Sequence, residues 1–127
     1  MEKLELTILK NLIHNDDYSR KVIPFIKLEY FDVRAEMVLC QEIVEFIAKY
    51  NKSITTEILD LEIQNRDDLT EQEFKDIREI IPTLSESDIN TEWLIDATEK
   101  WCRDRAIYLA LMSSIKIADG QDDNKGR

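Results

Sequence analysis

The stretch NTEWLIDATEKWCRDRAIYLALMSSIKIADG, Asn90 to Gly120, decides the fold, because no other part of the chain sustains a helical pattern for so long. It reads as one helix from about Thr91 to Ala118, with Gly120 placed as its stop. At 1.5 Å per residue such a helix is roughly 42 Å long, against about 26 Å for twice the radius of gyration of a compact domain of this size. Trp93, Ala97, Trp101, Tyr108, Leu111, Met112 and Ile115 recur at roughly helical spacing, and Leu94, Ile107 and Ile117 widen the apolar band. One side of the helix is expected to pack on a core. Another side wants a partner.

The segments before it are also helical in pattern. Leu4, Ile8, Leu9, Leu12 and Ile13 lie on one stripe of a first helix, Leu4 to His14. Asn and Asp in HNDD compete for the backbone and break it, and a short helix follows near Tyr18 to Val22. Pro24 disfavours helical geometry at Ile23 and should bend the chain, sending PFIKLEYF across the core. A long helix from Arg34 to Tyr50 turns Met37, Cys40, Ile43, Val44, Ile47 and Tyr50 inward until NKS ends it. Thr55 caps the next helix, which buries Ile58, Leu59 and Ile63. Thr70 and Glu73 form a capping box for another, with Phe74, Ile77, Ile80 and Ile81 apolar before Pro82 stops it. The polar loop TLSESDIN leads into the last helix. This is an all-α fold, a compact head of about five helices followed by one long helix, over residues 1–120. Residues 121–127 read as linker or frayed tail.

Composition agrees. The 127 residues include only two glycines and two prolines, too few for the special turns of an all-β fold. Twenty-seven acids against 17 bases leave a net charge of −10, which opposes a direct grip on a phosphate backbone. Residues 57–79 hold nine acids and three bases, either a solvated surface or a docking face for a basic partner. The amino terminus lacks the apolar segment and cleavage site of a signal peptide, and no apolar run is long enough to span a membrane, so a cytoplasmic protein is expected. Cys40 and Cys102 read as buried, reduced thiols.

Catalytic chemistry is not visible. The glycines, Gly120 and Gly126, cannot build a phosphate-cradling GxxxxGK[ST] loop. His14 is the one histidine and has no cysteine or carboxylate set for a zinc site or a triad. Adjacent Asp16 and Asp17 sit at a helix break, where they serve as turn formers. No catalytic, cofactor-binding or metal residues are expected in this chain. For Trp93 core packing is the expectation, whereas Trp101, Tyr108 and the segment 111–117 could equally serve a helix–helix contact outside the head.

The order of these pieces resembles the amino-terminal domain of DnaB-like replicative DNA helicases, particularly those of large tailed phages. The likeness rests on ILKNLIHNDDY (8–18), VIPFIKLEYF (22–31), VEFIAKYNKSITTEIL (44–59) and TEKWCRDRAIYLALMSSI (98–115), with Arg105 at the family's arginine position. The resemblance implies that the long helix is the first arm of a helical hairpin. Hairpins of neighbouring subunits would pack together, and the domains would form a collar, a trimer of dimers in the hexamer. That collar would dock primase and, in some systems, a helicase loader. ATP and Mg2+ would belong only to a RecA-like ATPase domain, which these residues do not include. Under this resemblance the subunit contact falls to Trp101, Arg105, Tyr108, Leu111, Met112 and Ile115, with Arg105 orienting the hairpin through a carboxylate. The rival readings are a free-standing acidic adaptor that binds a protein partner, and a small enzyme with a dispersed acidic site.

Overall fold

A computed structural model describes residues 2–119. Six α-helices follow in order: α1 (Leu4–His14), α2 (Asp16–Val22), α3 (Arg34–Tyr50), α4 (Thr56–Gln64), α5 (Glu71–Ile80) and α6 (Thr91–Ala118). Among the described residues there is no strand, and the fold is all-α. Gly120 and the tail 121–127 lie outside the described residues.

Local chemistry sets most helix ends. Asn15 accepts from Tyr18 N and opens α2, and Thr55 accepts from Ile58 N and opens α4. The capping box before α5 is complete, with Thr70 Oγ1 accepting from Glu73 N and Glu73 Oε1 accepting from Thr70 N, both at 3.0 Å. Asn90 caps α6 through Trp93 N. At the far end of α3, Asn51 takes the left-handed conformation at φ 56°, which asparagine tolerates better than other residues with a Cβ.

Each proline opens a 3-10 turn, at Ile23–Phe25 and Ile81–Thr83. Ile23 keeps helical dihedrals (−52°, −40°), contrary to the expectation of an extended residue before Pro24. The proline there stands in the first turn, where its missing N–H leaves no bond unmade. A further 3-10 turn covers Leu28–Tyr30.

One core joins all six helices. Ile8, Leu9 and Leu12 of α1 meet Val38, Leu39 and Ile43 of α3, and Tyr18 and Val22 of α2, Leu59 and Ile63 of α4, Ile77 of α5 and Leu94 of α6 close around them. The crossing PFIKLEYF segment contributes buried Tyr30 and Phe31. Two inward assignments fail. Tyr50 is 52% exposed, because it is the last residue of α3 and stacks on Phe46 (centroids 4.6 Å apart) above the core. Trp93 is 57% exposed, because Leu94, Thr98 and Cys102, one turn apart, take the inward side of α6.

Candidate helix-pairing interface

The first half of α6 is bolted to the head and the second half leaves it. Leu94, Thr98 and Cys102 are buried. Tyr18 Oη lies 2.7 Å from Thr98 Oγ1, which itself donates to the Leu94 carbonyl, so the tyrosine hydroxyl is the donor in the first bond. Asn15 Nδ2 donates to Thr91 Oγ1 at the start of the helix. From Ala106 onward every described residue except Leu109 is exposed.

Trp101 and Arg105 mark the point of departure. The Trp101 ring packs edge-on against Tyr30 (6.0 Å) and tilted against Phe31 (5.0 Å), and its Nε1 donates to Glu5 Oε2. Arg105 Nε donates to the Tyr30 carbonyl at 2.6 Å, and its guanidinium stands 5.0 Å over the Tyr108 ring. Within the described chain the partner of Arg105 is that carbonyl, which ends a 3-10 turn and has no helical N–H beyond it to accept. Of the six residues assigned to a subunit contact, Trp101 and Arg105 therefore already make contacts within the chain. Tyr108, Leu111, Met112 and Ile115 are exposed, as are Ile107 and Ile117, with Leu111 at 58%.

From Trp101, which packs on the head, outward into the exposed stretch, α6 carries an ordered pattern that the broad apolar band had hidden. Trp101, Tyr108 and Ile115 recur every seven residues, and Asp104, Leu111 and Ala118 form a second seven-residue series three positions on. Those are the two positions that a left-handed helix pair turns toward its seam. Asp104 is the one charged member, and Lys100 holds its carboxylate at 2.8 Å. Tyr108, Leu111, Met112 and Ile115 thus form a contiguous exposed apolar row.

Other parts of the molecule offer less. A hollow of about 420 Å3 beside α6 is lined by Phe25, Tyr30, Glu99, Cys102, Arg103 and Ala106. Burial pushes the thiols up, to about 12 for Cys40 and about 11 for Cys102, so neither is a ready nucleophile. His14 is exposed, and its Nε2 pairs with the Leu84 carbonyl at 2.9 Å. Among the described residues no group of three or more His, Cys, Asp and Glu could hold a metal ion. No helix there is long and apolar enough to cross a membrane.

No family model matches the chain. Over 110 residues it is 28% identical to the DnaB-like replicative helicase of Enterobacteria phage T4, and the alignment takes in 87% of this chain. It takes in 23% of the helicase, so the chain spans under a quarter of that relative's length. Along most of its length, the chain is similar to one segment of a DnaB-like replicative helicase.

Proposed function

We propose that this chain is the amino-terminal assembly domain of a DnaB-like replicative helicase, joining subunits by pairing its long helix with another helix. The observation that carries the reading is the exposed apolar row on α6, Tyr108, Leu111 and Ile115, at alternating three- and four-residue spacing beyond a firmly anchored first half. The likeness to the phage T4 helicase over 87% of the chain supports the helicase context. On this reading the domain binds its own copies, as a dimer or as a trimer of dimers in the full hexamer, and offers the head to primase or a loader. Nucleotide hydrolysis falls to an ATPase domain, and a net charge of −10 leaves DNA contact to other parts of the ring.

Leu111→Asp tests the pairing, since it sets a charge in the middle of the apolar row. Sedimentation velocity should show the wild-type oligomer dissociating in the variant, while far-ultraviolet circular dichroism stays unchanged. Oligomers that survive the substitution would sink the assignment. A wild-type chain that sediments as a monomer would favour the free-standing adaptor instead.

A further inference from the structure

Away from α6, the carboxyl-terminal half of α3 and the facing side of α4 enclose a shallow groove of about 170 Å3, lined by Glu42, Glu45, Phe46, Lys49, Tyr50 and Glu62. Its apolar surface is the tilted Phe46–Tyr50 pair, and Tyr50 is more than half exposed. Three carboxylates surround that surface. Glu42 is tied to Arg66 at 2.8 Å, and Glu45 accepts only from the neutral amide of Gln41. No ion pair or side-chain hydrogen bond within the described chain engages Glu62.

Lys49 stands 5.3 Å from the centre of the Tyr50 ring, so the ring face already takes a cation, held only by an exposed side chain beside it. An aromatic floor with two carboxylates free of ion pairing suits a flat or compact cation with an apolar stem. A free anion or a phosphate backbone would meet like charge. We propose that this groove receives an arginine or lysine side chain from a basic segment of another protein, which displaces Lys49 from the Tyr50 ring. Docking here leaves α6 free, so it is independent of helix pairing.

The test uses a hexa-arginine peptide titrated into the isotopically labelled chain and followed by amide chemical shifts. Shifts should concentrate on residues 42–50 and 62. Tyr50→Ala keeps every charge and should weaken binding about two- to fivefold, the range of an exposed cation–π contact. Lys49→Ala should tighten it, and Glu62→Gln should weaken it. A paired change on α5, Asp76→Asn with Glu79→Gln, should do less than Tyr50→Ala although it removes two charges. Shifts spread evenly over α4 and α5, or a Tyr50→Ala variant that binds like wild type, would reduce the effect to general attraction by an acidic surface and overturn the proposal. So would a chain that occupies the groove with its own second copy and excludes the peptide.

Discussion

Glu36 is 2% exposed, and its Oε1 has no hydrogen-bond partner, while Lys3 Nζ holds Oε2 at 2.6 Å. Burial raises its carboxyl above the ordinary 4.5, outweighing the lowering by Lys3, and Glu5 and Asp32 push the same way as burial. A raised folded-state value means that Glu36 favours the native state most below its unfolded value. That contribution is lost as pH rises through the folded one. Glu36→Gln should therefore gain stability relative to wild type as pH rises from about 4 towards neutrality, read as the difference in urea midpoints at each pH. A constant difference across that range would mean that the carboxyl titrates normally. The opposite sign governs Asp68, which Arg66 holds down at about 2, so its contribution is present above the ordinary 3.8 and lost only in strong acid.

At the scale of the element, the helix ends were the most legible part of the fold, because each rests on a few neighbouring residues. Thr55, Thr70 with Glu73, and the breaks after His14 and Tyr50 could be read from local chemistry alone. Asn51 shows how local that control is. Replacing it by alanine keeps the Cβ but removes the short polar side chain that lets asparagine tolerate the left-handed position, and should cost about 1 kcal/mol, while glycine should be nearly neutral. Thermal melts of the two variants separate this from loss of the long 3.4 Å contact with Arg20, which both remove. The face of a helix was harder to read than its ends. A 28-residue helix with apolar residues on several sides admits more than one inward direction, and what selects one is the burial of Leu94, Thr98 and Cys102, with Thr98 meeting Tyr18 across 80 residues of sequence. Thr98 is polar, so an apolar pattern could not point to it. Arg105 is similar, since its partner is a backbone carbonyl that sequence does not mark. The Phe46–Tyr50 groove was likewise hidden, because Tyr50 fits the inward stripe of α3 and is turned out only by standing at the helix end.

For the whole molecule, the buried core and the exposed stretch of α6 make two regions of different persistence. Backbone amides over the first half of α6 are covered by the head, whereas those from Ile107 to Ala118 have only the helix itself to protect them. Hydrogen exchange should therefore be slow up to about Cys102 and fast beyond Ile107 in dilute solution. As concentration rises and helices pair, protection should spread along residues 107–118. Exchange that stays fast there at every concentration would show that the row finds no partner among its own copies.

The anchoring of α6 at one end also makes it a lever. Its fulcrum is the cluster of Trp101, Tyr30, Phe31 and Arg105. The thirteen residues from Ala106 to Ala118 form an arm of about 20 Å, so a tilt of roughly 3° at the fulcrum swings the tip by about 1 Å. Glu5, which holds the Trp101 indole, lies on α1 two residues from Lys3, the partner of Glu36. A small repacking among those side chains is thus amplified at the far tip of the helix, and a load applied at the tip bears back on the same few contacts.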